Sequence, residues 1–145
     1  MRSDFTVALH IMGCLTAAEG APLSSEILAR TYGTNAVVIR RVLLKLSDAG
    51  IVQSQRGVGG GTVLAHSPTE ITLRDVFEAV EGKSEILPRY PEDDDNLSKV
   101  LGAYINDLMV SAEAELLARF DSLSIAEMDK AVRPSVRKLL KNRFQ

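Results

Sequence analysis

The chain is poor in the residues that most often carry chemistry. It holds one cysteine (Cys14), two histidines (His10 and His66) and no tryptophan. A single cysteine excludes an internal disulfide and any thiolate metal cage drawn from one chain. No apolar run approaches the roughly 20 residues that a membrane-spanning helix needs. No Ser-His-Asp, Cys-His or metal-ligand grouping is visible, which argues against an enzyme. The glycines at 57 and 59–61 do not form a phosphate cradle. Such a loop opens a helix and supplies a Lys-Ser or Lys-Thr pair, whereas here Thr62-Val63-Leu64 follows as a strand.

The composition is that of a globular protein: 46% of the 145 residues are hydrophobic and 25% are charged. This suits one ordinary domain, or a small domain with an added dimerisation arm. The first twenty residues, MRSDFTVALHIMGCLTAAEG, have the outline of a signal peptide. Asp4 and His10 interrupt that outline, and the apolar residues recur at helical spacing. The segment therefore reads as a folded helix, and the protein as cytoplasmic. The net charge of −2 divides unevenly, +2 over residues 1–66 and −4 over the remainder. Opposite signs are expected where one half meets phosphate and the other does not.

Periodicity predicts a first helix from about Asp4 to Glu19, with Ser3 as cap, Gly20 as stop and Phe5, Leu9, Ile11 and Met12 as its apolar face. A short helix is expected from Ser24 to Gly33, with Ile27 and Leu28 inward and Glu26 and Arg30 outward. After a tight Gly33-Thr34-Asn35 connection, Thr34 or Asn35 caps a third helix that ends near Gly50. Ile39, Val42, Leu43 and Leu46 fall at i, i+3, i+4 and i+7 and form its buried stripe, while Arg40, Arg41 and Lys45 lie opposite. Two helices on a short glycine turn, the second basic on its free face, make a helix-turn-helix. Strands at 51–55 and 62–65 follow around Arg56-Gly57-Val58-Gly59-Gly60-Gly61. A hairpin after a recognition helix is a wing, and its arginine suits the negative potential of a minor groove.

Beyond Ser67-Pro68, a capping-box pattern of Thr72 and Asp75 opens a helix that ends at Gly82, with Leu73, Val76, Phe77 and Val80 inward. Residues 83–96 read as a loop whose acids, Glu92 to Asp95, sit where the next helix begins and suit its dipole. Residues 97–120 form the longest helix. Its seam of Leu97, Leu101, Tyr104, Leu108, Ala112, Leu116 and Phe120 exceeds what so small a domain buries, and is assigned to a dimer interface. Ser124 and Glu127 make a second capping box, with Leu123 and Met128 as a hydrophobic staple, on a helix expected to stop before Pro134. The basic tail 134–145, with Arg137, Lys138, Lys141 and Arg143, is either a further source of phosphate contacts or a solvated helix.

The stretch GTNAVVIRRVLLKLSDAGIVQSQRGVGGGTVLAHSPTEITLRDVFEAVEG resembles the DNA-binding core of the Rrf-two family. That family comprises winged-helix regulators and includes iron–sulfur and nitric-oxide sensing repressors. The likeness is close over residues 1–82 and looser over the long helix and the SLSIAEMD segment. It implies a mainly α fold with a small β-hairpin, made of a winged helix-turn-helix at 1–82, a loop at 83–96, dimerisation helices at 97–133 and a tail at 134–145. It further implies a homodimer on a pseudo-palindromic operator in double-stranded DNA, with the recognition helix in the major groove and the wing in the minor groove.

On this resemblance Arg56 matches the family's wing arginine, and Arg40 its base-reading position, with Arg41 beside it. Some relatives carry an acid there, whereas arginine favours guanine, so a different operator is expected. Ser24, Ser25, Thr34, Asn35, Val37, Lys45, Gly57, Gly59 and Gly60 complete the candidate DNA-binding set. Cluster-binding relatives carry three cysteines after the AVEG helix. Here the loop KSEILPRYPEDDDN has none, so no cofactor and no bound metal are expected, and the signal is open. Cys14 is either a small buried hydrophobe or a redox thiol. No base lies beside it in sequence to lower its pKa. The competing functional reading is a protein-interaction module that keeps the winged fold without binding DNA.

Overall fold

A computed structural model describes residues 4–143, including the side chains except those at 137 and 139–143. The elements are α1 (Asp4–Ala17), α2 (Ser25–Tyr32), α3 (Ala36–Asp48), β1 (Val52–Gln55), β2 (Gly61–Leu64), α4 (Leu73–Glu81), α5 (Asn96–Asp121) and α6 (Ile125–Arg143). The fold is thus mainly helical, with one antiparallel hairpin pairing Val52 with Leu64 and Gln55 with Gly61. This is a winged helix-turn-helix followed by a 26-residue helix. The expected cap at Ser3 lies outside the described residues.

The core forms because each helix turns one apolar stripe inward. Val7, Ile11, Met12 and Leu15 of α1 meet Leu28 of α2, the Ile39-Val42-Leu43-Leu46 stripe of α3, and Val76 and Val80 of α4. Thr72 and Asp75 close the expected capping box on α4. Phe5, Phe77 and Phe120 then stack in a triangle with ring centroids 5.1–5.7 Å apart, which fastens the C-terminal end of α5 to α1 and α4.

Two expectations are corrected. Ile27 is 40% exposed, because an eight-residue helix buries only Leu28 and Ala29. The helix that was to stop before Pro134 runs through it to Arg143. Proline removes only its own bond to the carbonyl of Lys130, and both residues face solvent, where water can take over. The start of α6 is joined directly to the N-terminal unit. Ile125 is fully buried in the N-terminal core, and Leu73 N–H to Leu123 O (2.9 Å) and Ile125 N–H to Ile71 O (2.8 Å) stitch the start of α6 to the start of α4.

Because Ile125 completes the N-terminal core, Ile125→Ala is expected to cost about 2–5 kcal/mol of global stability. Urea unfolding should remain a single transition with a lower midpoint. A second transition, or an unmoved midpoint, would show that α6 is an appendage.

Candidate nucleic-acid interface

Helices α2 and α3 are set by their caps. Ser24 Oγ accepts from Ile27 N–H (3.2 Å), and Asn35 Oδ1 accepts from Val38 N–H (3.1 Å), so Asn35 rather than Thr34 caps α3. Gly33 closes α2 in the left-handed region at φ 87°, and its N–H and that of Thr34 both donate to Ala29 O. The oxygens of Ser24 and Asn35 are therefore occupied as caps. The Ser24 hydroxyl proton and the Asn35 amide protons remain as donors for phosphate. Ser25 is the half-buried first residue of α2.

The outer face of α3 carries Val37 (69% exposed), Arg40, Arg41 and Leu44 (63% exposed). Its cations are not free, as the sequence had suggested. Arg40 Nη2 lies 2.7 Å from Glu26 Oε1 of α2, with both side chains mostly in solvent. Arg41 Nη2 and Lys45 Nζ lie 2.7 and 2.9 Å from the two oxygens of Asp4, which is 1% exposed. Lys45 also donates to Val80 O in the last turn of α4, at 3.3 Å. It is a strut between helices, with about a third of its side chain still exposed. Burial pushes the Asp4 carboxyl up, but the hydrogen bonds and charges of Lys45 and Arg41 outweigh it and hold it below the usual carboxylate range. Glu26 and Asp4 are the ion-pair partners that sequence reasoning missed. Only the outward side of Glu26 was legible.

The wing is fastened to the helix-turn-helix. Leu23 and Thr62 exchange both backbone hydrogen bonds, at 3.1 and 2.9 Å. Gln55 and Gly57 leave no room beside Gly60, where an added Cβ would stand 2.2 Å from Gln55 O. Gly57 and Gly59 have φ of 102° and 75°. The turn projects an exposed Arg56 and a fully exposed Val58 beyond the hairpin.

Cys14 is half-buried on α1, with Sγ 3.4 Å from His10 Nε2 one turn earlier; the same nitrogen lies 2.9 Å from Thr31 Oγ1. A base does therefore stand next to the thiol. Helical spacing placed it there, not adjacency in sequence. Burial pushes the Cys14 thiol up and the His10 imidazole down, which favours the neutral form of both. His66 is exposed, and among the described residues no three His, Cys, Asp or Glu side chains converge on a point that could hold a metal ion.

Loop 83–95 is tied to α5 by one carboxylate. Glu113 accepts two bonds from the Arg89 guanidinium (2.8 and 2.9 Å) and one each from the N–H groups of Ile86 (3.0 Å) and Leu87 (2.7 Å). These donors, the Arg89 side chain foremost, hold its pKa near about 2. The Asn106 amide bridges the N–H and C=O of Tyr90, whose ring packs over Gly102. Asp95 caps α5, accepting from Leu97 and Ser98 N–H, as the dipole reading of the acidic run expects. Along α5, Leu97, Leu101, Tyr104, Leu108 and Ala112 are exposed. Leu116 is half-buried, and Phe120 is committed to the aromatic triangle within the chain, so the exposed seam ends before it.

This arrangement is that of a winged-helix regulator. Residues 1–131 match the Rrf2 family, described as "Iron-dependent Transcriptional regulator", and the chain belongs to that family. It is 37% identical over 86 residues to YwnA of Bacillus subtilis, provisionally named an HTH-type transcriptional regulator, covering 59% of this chain and 62% of that one. The chain thus spans less than two thirds of that relative. The structure of CymR, the global cysteine regulator of B. subtilis, is similar with a TM-score of 0.67 and 27% identity, over 90% of this chain and 96% of that one. IscR of T. potens shares the fold, with a TM-score of 0.69 and 22% identity over 91% and 87%. An iron–sulfur cluster does not fit the residues here. Loop 83–96 has no thiol, its inward donors are taken by Glu113, and the one cysteine sits on α1 beside His10.

Glu113 contributes stability only while ionised. Its folded pKa lies below the ordinary 4.5, so the contribution is full above pH 4.5 and is lost as pH falls through about 2. Glu113→Gln should melt below the parent at pH 7, and the two melting curves should converge towards pH 2. A gap that persists unchanged at pH 2 would show that the tie is not electrostatic.

Proposed function

We propose that the chain is a homodimeric, sequence-specific regulator of transcription that acts as a repressor on a pseudo-palindromic operator. One observation carries this reading. Arg40 and Val37 stand exposed on α3, while Arg56 stands exposed on a wing hydrogen-bonded to the same helix-turn-helix unit. A rigid unit of this kind offers a helix to a major groove and an arginine to the adjacent minor groove at fixed separation. Arg40 can pair bidentately with guanine, and Val37 suits a thymine methyl. Arg41 stands beside Arg40 for the base edges, and the donors of Ser24, Ser25, Thr34 and Asn35 serve the phosphates, with Gly57, Gly59 and Gly60 shaping the wing that delivers Arg56.

The exposed apolar residues of α5 support a second copy as partner. Leu97, Leu101, Tyr104 and Leu108 recur at intervals of three and four and are 45–73% exposed. A seam of that spacing pairs with its own copy in an antiparallel or parallel helix pair. The aromatic triangle mounts each α5 on its own DNA-binding unit, so the pairing of α5 sets the spacing of the two recognition helices.

Binding to a duplex enriched from a random pool, compared with its shuffled counterpart, tests the reading. Tight, salt-sensitive and selective binding is expected. Equal binding of both duplexes, or apolar and salt-insensitive association with another protein, would favour an interaction module. Arg40→Ala should lower base preference by about 1–3 kcal/mol at one position per half-site. Uniform weakening on all sequences would reduce Arg40 to a phosphate contact. Leu101→Glu should yield monomers in sedimentation, and a dimer that survives it would place the interface elsewhere.

A further inference from the structure

Both arginines of α3 stand in ion pairs, but the two partners differ in kind. Glu26 is 65% exposed and moves with solvent, so it screens Arg40 weakly. Asp4 is 2% exposed at its side chain and cannot relax into water. One of its oxygens is held by Lys45, itself pinned to Val80 O, and the other by Arg41. The carboxylate is therefore a fixed anion at the first turn of α1, immobilised from the far side. The Arg41 guanidinium gives one nitrogen to it, while the side chain is 51% exposed. Among the described residues, its other nitrogens meet no acceptor.

We propose that Asp4 is a specificity-determining positioning residue for DNA recognition. It competes with phosphate as an internal anion for Arg41 and holds that guanidinium in one orientation on α3. The inference rests on the DNA-binding reading of the preceding section. Its physical content is a difference between two modes of binding. Sequence-independent attraction depends on freely available cations and scales with the number of phosphates they neutralise. An arginine already paired with a buried carboxylate adds little to that attraction. It contributes where it keeps Asp4 and gains a DNA acceptor in the same geometry, which only the correctly docked complex provides. The arrangement also fits a chain of net charge −2 whose DNA-facing part carries only a small positive excess.

Affinities for the enriched duplex and its shuffled counterpart, measured across a salt series, test this. The wild-type protein binding neither, or both equally, would remove the DNA-binding reading itself. If the wild type is selective, Asp4→Asn should bind the shuffled duplex more tightly, with a salt slope steeper by about 1 and a selectivity lower by about tenfold. A parallel fall on both duplexes with an unchanged slope would make Asp4 purely structural and overturn the proposal.

Arg41→Lys covers the case in which Asp4→Asn does not fold, because position 41 is exposed. Lysine keeps the charge but loses the planar fork, so selectivity should fall about tenfold at an unchanged salt slope. Unchanged selectivity would mean that Arg41 has no orientation for Asp4 to fix, and would equally overturn the proposal.

Discussion

A buried carboxylate has to be answered by charge, and in this protein the answer organises the winged helix-turn-helix. Asp4 sits at the start of α1 with almost no exposure, and its two oxygens are met by Arg41 and Lys45, one turn apart on α3. Only the carboxylate is buried, while Arg41 and Lys45 are partly exposed, so solvent screens part of the attraction. Lys45 carries the link on to the last turn of α4. Three helices that already share an apolar core are thereby locked in register at one end. Helix α3 cannot turn about its axis without drawing Arg41 and Lys45 away from a carboxylate that is itself buried.

A second fixture lies where α5 leaves the core. Phe5, Phe77 and Phe120 come from α1, α4 and α5, and their edge-to-face and tilted contacts suit the quadrupoles of the rings. The same two helices, α1 and α4, therefore bear both the hold on α3 and the hold on α5. In the proposed dimer, a change in how the two α5 helices pair is carried to α3 through packed side chains, with no flexible linker between them. The stitch of α6 to the start of α4 stiffens the same frame from the other side.

Much of this frame was legible from spacing. The α3 stripe, the Thr72–Asp75 capping box, the hairpin with its glycine turn and the long helix follow from local rules of period and capping, and these rules act within a few residues. The ion pairs did not follow, because Asp4 and Arg41 lie 37 residues apart and no local rule links them. Outward position on a helical wheel also misled. Arg41 and Lys45 do lie opposite the apolar stripe, but the first turn of α1 reaches round to meet them. Phe120, which meets rings of its own chain, shows a related limit: heptad spacing shows which residues share a face, not whether that face meets another chain or the same one. Pro134 was overread, since a solvent-facing proline removes a single bond and the helix continues.

The loop before α5 shows how this chain departs from a family described as iron-dependent. With no cysteine in the loop, cohesion falls to charge-assisted hydrogen bonds. Glu113 gathers a guanidinium and two backbone N–H groups, and Asn106 clamps Tyr90 through both of its backbone polar atoms. Every one of these bonds runs between the loop and α5, the helix that bears the exposed seam. Each of these ties is made by the polypeptide's own groups. A signal that acts through it must then supply acceptors or donors good enough to displace Glu113, whose depressed pKa records how well it is already satisfied. A signal that acts on the seam competes instead with the proposed pairing of two copies, since Leu97, Tyr104 and Leu108 lie mostly in solvent within one chain.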